Sequence, residues 1–164
     1  MKISLLINLI TALLWLFLST EPNPGTLIVG YLVGFFLIVA FRPLLRSEEY
    51  VRRTIAFFRF FVLFLREVTS STIEVAKAVI FTPVEEIDPN FLELDVSDLT
   101  RGEILILSHC ITLTPGTTSI EISGDFRRLT VHAFDASNPE AVRTSINTGL
   151  RDPILAFTRP WTSS

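Results

Sequence analysis

Charge is what this 164-residue sequence has least of. Asp, Glu, Lys and Arg make up 19% of it, against roughly 25% in an average soluble chain. The deficit is local: from Ile3 to Phe41 the only charged residue is Glu21. That argues against a wholly soluble domain and against a disordered chain. A basic excess is missing too. The net charge is −3, so the electrostatic footprint of a nucleic-acid binder is absent. The single cysteine, Cys110, allows no intrachain disulfide and suits a reducing or cytosolic setting.

Chemistry-bearing motifs are equally scarce. No phosphate-binding glycine loop, HExxH or CxxC occurs. Ser108, His109 and Cys110 are adjacent, and adjacent residues on a helix or strand do not face one another, so they form no dyad. The two histidines, His109 and His132, lack a third ligand at metal-binding spacing. Glu85 and Glu86 read as solvated linker carboxylates. No catalytic residue, cofactor-binding residue, metal ligand or cofactor is therefore assigned.

What the chain does have is apolar length, including 14 phenylalanines. Ile3–Leu18 and Thr26–Phe41 are uncharged runs of sixteen residues each. Both fall slightly short of the roughly 20 residues that span a bilayer comfortably. Glu21-Pro22-Asn23-Pro24-Gly25 between them is a helix-breaking turn, and Arg42-Pro43 ends the second run. Together they predict a transmembrane hairpin. A cleaved leader is the competing reading of the first run, but Leu18-Ser19-Thr20 makes a poor cleavage site. Gly30 and Gly34 form a small-xxx-small pair of the kind that brings membrane helices close. Lys2 precedes the hairpin and Arg42, Arg46, Arg52 and Arg53 follow it, while the turn carries only Glu21. The positive-inside rule then sets both hairpin ends in the cytoplasm.

Thr54–Phe81 is Phe-rich but also charged. At 100° per residue, Arg59, Arg66, Ser70, Glu74 and Lys77 share a stripe, with Glu67 beside it. This predicts an amphipathic helix lying in the membrane interface; a crossing, with the stripe against partner subunits, is the alternative. Thr82-Pro83 stops it. The chain is cationic before that point and anionic after it. Residues 1–83 carry eight Lys/Arg and five Asp/Glu, and residues 84–164 carry six and twelve.

The anionic half reads as a compact β-α-β-β-α domain. Phe91–Val96 alternates apolar and acidic like a half-buried strand. Thr100 and Glu103 match a capping box opening a helix to about Ile111. Thr114-Pro115-Gly116-Thr117 is a turn. Ser119–Ser123 and Arg128–Phe134 alternate as a hairpin around Gly124-Asp125. Asn138-Pro139 opens a final helix, and Pro153 and Pro160 bend or end the remainder. The organisation is then a hairpin over 1–45, an amphipathic helix over 46–83 and an α+β domain over 84–164.

An ion path needs ionisable groups at bilayer depth, and neither apolar run holds one. The chain therefore reads as an accessory part of something larger. A membrane-tethered enzyme or ligand-binding α+β domain, motivated by His109, Cys110 and His132, is the alternative.

Taken together, the chain resembles the E-type subunits of the Mrp-type multisubunit cation/proton antiporters. The likeness rests on the hairpin around Asn8 and Trp15, the glycine-containing second run and the Phe-rich helix. Its most specific part is Ile111-Thr112-Leu113-Thr114-Pro115-Gly116-Thr117 followed by Leu129-Thr130-Val131-His132-Ala133-Phe134-Asp135. The resemblance implies an integral subunit of a sodium/proton antiporter in a prokaryotic plasma membrane, with other subunits and membrane lipid as partners. Larger subunits would carry the ions. It also implies that Thr114, Pro115, Gly116, Thr117, His132 and Asp135 are signature positions, whose role here is read as structural or docking.

Overall fold

The computed structural model describes residues 2–160. It divides into two compact units, one formed by residues up to Ile55 and the other by Ala56–Arg159.

The first unit holds two apolar helices, α1 (Lys2–Leu18) and α2 (Pro24–Ala40). α2 starts two residues before the uncharged run. Asn23 is its N-cap, its Oδ1 accepting from the Thr26 N–H at 3.0 Å, and Pro24 takes the first helical position, where no N–H is needed. The helices meet along a seam made mostly of small residues. Ser4, Asn8 and Ala12 of α1 are buried, as are Gly30, Gly34 and Ile38 of α2. A short α3 (Arg42–Leu45) follows and ends on Arg46, which adopts a left-handed φ of 46°. α4 (Glu48–Phe81) then begins six residues earlier than the apolar pattern predicts. Its first turn carries Glu48 and Glu49, favourable charges at a helix N-terminus.

Among the described residues no helix is both long and apolar enough to cross a membrane. α1 and α2 are apolar but have 17 residues each, about 26 Å at the standard rise. α4 has the length, at 34 residues, but carries charge throughout.

The second unit contains β1 (Asn90–Asp95), α5 (Arg101–Leu113), β2 (Thr117–Ile122), β3 (Arg128–Ala133) and α6 (Pro139–Ile146). A π-helical turn over Asn147–Arg151 and α7 (Asp152–Thr158) complete it. Pro153 does not break this last stretch, because it lies in the first turn of α7, where its missing N–H costs nothing. The three strands form an antiparallel sheet in the order β1-β3-β2. Leu92 pairs with Val131 and Leu94 with Leu129, all facing the core, while Phe91 and His132 face the other way. Helices cover the one apolar face. Ile104, Leu107 and Ile111 of α5 meet Ile146, Leu150 and Ile154 there, together with Phe60 of α4. β2 carries a bulge between Ser119 and Glu121, which leaves Ile120 unpaired and exposed while Ile122 returns to the core side. The β2–β3 loop takes its positive φ, 57°, at Phe126 rather than at the Gly124-Asp125 pair; the Ser123 hydroxyl bonds Asp125 and accepts from the Arg128 N–H at 2.9 Å to brace it.

The capping box forms as the sequence predicts: the Glu103 N–H donates to Thr100 Oγ1 at 3.3 Å and the Thr100 N–H donates to Glu103 Oε2 at 2.8 Å. Glu103 also has a long-range task. Its Oε1 accepts from Thr158 Oγ1 at 2.6 Å and from Arg159 Nε at 3.3 Å, fastening the end of α7 to the start of α5. Arg159 bonds the Asp98 carbonyl as well, and Arg151 pairs with the Asp98 carboxylate. Burial alone would raise the Glu103 pKa. The donors from Thr158, Thr100 and Arg159 outweigh it and hold the carboxyl at about 2, below its ordinary 4.5.

A depressed carboxyl stabilises the fold above its unfolded pKa and loses that contribution as pH falls through the folded one. Thermal unfolding of the detergent-solubilised chain should therefore show the Glu103 contribution intact above pH 4.5 and draining away towards pH 2. Glu103→Gln should remove that segment of the pH dependence and cost about 2 kcal/mol at neutral pH. An unchanged pH profile would remove the clasp from the account.

Candidate docking site

The hairpin seam is built from backbone proximity. A Cβ at Gly30 would sit 2.7 Å from Trp15 Cβ and 3.0 Å from the Ala12 backbone. One at Gly34 would collide with the Asn8 Oδ1 and lie 3.1 Å from Thr11 Cβ. Asn8 is fully buried, and its Nδ2 donates to the Tyr50 hydroxyl at 2.7 Å. That hydroxyl lies 3.1 Å from the Tyr31 hydroxyl, so one polar cluster joins α1, α2 and the start of α4. Asn8 Oδ1 has no hydrogen-bond partner and rests on the Gly34 backbone instead.

In the second unit, Thr114-Pro115-Gly116-Thr117 links α5 to β2. Gly116 takes φ +90°, a region that L side chains rarely adopt, and a Cβ there would also press on Val75 at 3.0 Å. Both flanking hydroxyls bond carbonyls in the last turn of α5, which also accept from the Thr114 N–H. Thr114 Oγ1 donates to Cys110 O at 2.8 Å and Thr117 Oγ1 to Ile111 O at 3.0 Å. The Phe134 N–H donates to Gly116 O at 2.7 Å, which draws the end of β3 to the turn.

The four turn residues and Asp135 line one side of a cavity of about 370 Å³. α4 supplies Glu67, Glu74 and Val75 from another side, and α6 supplies Val142, Ser145 and Ile146. Glu67 Oε1 accepts from Ser145 Oγ at 2.9 Å. Its carboxylate lies against Gly149 of the π-helical turn, where a Cβ would come within 3.2 Å of it. Asp135 Oδ1 accepts from the Ser137 N–H at 3.0 Å. His132 does not join this group. It stands on the opposite face of the sheet with its ring 5.2 Å from Phe91. Gly30 and Gly34 belong to the other unit. His109 is exposed and bonds its own helix through Leu105 O. Cys110 is buried, which pushes its thiol pKa up and makes it unreactive. Among the described residues no group of His, Cys, Asp or Glu is placed to hold a metal.

The sequence pattern did not single out Glu67, Glu74 or Ser145 for this site. One signal existed: Glu67 sits about 80° from Arg59 around the helix, beside the polar stripe rather than in it.

Comparison with known proteins bears on what the fold serves. The family described as Na+/H+ ion antiporter subunit matches residues 8–157. The Na+/H+ antiporter E-type subunit of Alkalihalophilus pseudofirmus is 30% identical over 159 residues, covering 97% of this chain and 100% of that protein. The E1-type subunit of Staphylococcus saprophyticus is 31% identical over 150 residues, 92% of this chain and 93% of that one. A chain in the structure of the membrane-bound sulfane sulfur reductase, an archaeal respiratory membrane complex, shares the fold with a TM-score of 0.53 and 22% identity, covering 93% of this chain and 99% of that one.

Three substitutions test the close approaches. Gly116→Ala should lower the unfolding free energy by about 1–2 kcal/mol, from the left-handed backbone alone. In the hairpin, Gly30→Ala should cost more than Gly34→Ala, because it meets backbone where Gly34→Ala meets a side-chain tip. Melting temperatures of the two variants, measured side by side, decide the order.

Proposed function

The chain belongs to the family of Na+/H+ antiporter E-type subunits, and on that premise we propose that it is an accessory membrane subunit of a multisubunit antiporter, supporting assembly and stability without carrying the ion pathway. One observation carries this reading. The hairpin turns large apolar side chains outward along both helices, among them Leu6, Leu14, Phe17, Ile28 and Phe36. Its inward seam holds uncharged groups, most of them small, with Ser4, Asn8 and Ala12 buried on α1 and Gly30, Gly34 and Ile38 on α2. A pathway for protons or sodium needs acidic or basic side chains at that depth, and among the described residues the seam holds no Asp, Glu, His, Lys or Arg.

The hairpin crosses the plasma membrane of a prokaryote in this reading, with both ends in the cytoplasm. Seventeen-residue helices are short for a hydrocarbon core of about 30 Å. Local thinning and packing against other subunits accommodate the shortfall at modest cost. The α+β unit is then cytoplasmic. α4 supports an interfacial role: Phe58, Phe61, Val62, Leu65, Ile73 and Ile80 stay exposed along an arc of about 120°. Arg59, Arg66 and Lys77 are exposed beside it. Membrane lipid covers that arc.

Purifying the tagged chain from membranes that hold the whole antiporter should recover the other subunits with it. Membranes lacking the chain should contain less assembled complex. A complex of normal abundance that no longer exchanges ions would instead put this chain on the ion path, and recovery of a lone, stable monomer would overturn the reading altogether.

A further inference from the structure

The cavity beside the Thr114–Thr117 turn has an unbalanced chemistry. Three carboxylates, Glu67, Glu74 and Asp135, border it, and among the described residues no Lys, Arg or His lines it. None of the three forms an ion pair among the described residues. Within the same unit Glu93 meets Arg128, Glu140 meets Arg143, and Asp98 and Glu103 meet Arg151 and Arg159, while solvated carboxylates such as Glu121 and Asp152 form no ion pair among the described residues either; what sets these three apart is that they border one cavity. The wall behind the carboxylates is apolar, with Val75 and Ala78 on α4 and Val142 and Ile146 on α6.

These features together select an occupant. The carboxylates do not converge as metal ligands do, so a point cation would satisfy at most a part of the rim. A long side chain with an apolar stem and a charged head uses both surfaces, its stem on the wall and its head among the carboxylates. A guanidinium or ammonium has three to five donors to distribute over separated acceptors. At about 370 Å³ the cavity has room for one such side chain and part of its neighbours. The turn that forms its edge is fixed by Gly116 and the Phe134–Gly116 bond, so the socket is pre-formed and binding need not order it.

We propose that this cavity is a docking socket for an arginine- or lysine-bearing segment of another subunit of the antiporter. The proposal rests on the reading of the chain as a subunit of a larger complex, and adds to it where contact is made and by what chemistry.

A photo-cross-linking residue, p-benzoylphenylalanine, placed at Ala141 of the tagged full-length chain and co-expressed with the complete antiporter, tests it. Irradiation should yield an adduct with another subunit, on a peptide that carries Arg or Lys. Combining Glu67→Gln, Glu74→Gln and Asp135→Asn should lower the adduct yield about tenfold, and raised salt should do the same in the wild type. Ala78→Trp, which fills the groove without touching a charge, should lower it independently and decides the matter if the triple variant does not fold. An intact complex with no adduct at Ala141 overturns the socket while leaving the subunit reading standing. So does an adduct to a second copy of this chain, to lipid, or to a peptide without Arg or Lys, and so does a yield indifferent to the triple variant and to Ala78→Trp. Failure of the wild-type chain to recover any other subunit overturns both.

Discussion

The contact between α1 and α2 at Gly30 and Gly34 is the constraint on which the first unit depends. In the bilayer setting proposed for the hairpin, two apolar helices would gain nothing by meeting, since lipid is as good a neighbour as leucine. What holds them is proximity: backbone against backbone over several turns, where many weak dispersion contacts accumulate. Any side chain at Gly30 would push the helices apart and forfeit those contacts. Asn8 depends on the same closeness. Its amide reaches Tyr50 only because Gly34 leaves space for the other end of the group. A single pair of glycines thus supports both the seam and the polar cluster that ties in the start of α4.

The second unit works by the opposite principle. A three-stranded sheet has two faces and here hides one, so helices must cover that face and something must hold the last of them down. Leu150 and Ile154 supply the apolar part of that grip, and Glu103 supplies the polar part by accepting from Thr158 and Arg159. A buried carboxylate is costly unless its oxygens are occupied. Here both are occupied, by donors from three residues, and the cost of burial becomes a requirement that α7 be in its place.

Local features were legible in the sequence. The Thr100–Glu103 box, the Asn138-Pro139 opening and the alternation of β1 and β3 depend on neighbours within a few residues, and the structure forms all of them. Long-range partners were not. Nothing in the residue order of α4 says which arc of its apolar surface the sheet will claim, and Phe60 differs from Phe61 only by 100° of rotation, yet one is core and the other exposed. Glu103 reads as a cap, and its grip on residues 55 and 56 positions away leaves no local trace. The start of α4 was obscured because Glu48 to Arg53 is dense in charge and lacks the apolar period. At the cavity, Thr114 to Thr117 and Asp135 carried a motif, whereas Glu67, Glu74 and Ser145 looked like ordinary solvated helix faces until folding brought them to one opening.

The sheet's two borders have a consequence for how the chain survives before it is assembled. A strand at a sheet edge is a template for pairing with any other strand, and a subunit made in many copies risks stacking with itself. β1, at one border, alternates Glu93 and Asp95 with its apolar residues, so a second β1 approaching edge to edge would meet like charge. β2, at the other, is bent by its bulge at Ile120, and the Ser119 N–H is already occupied by the Thr112 hydroxyl at 3.2 Å. Both borders are therefore poor seeds for edge-to-edge pairing, whatever the exposed apolar side chains elsewhere on the chain do.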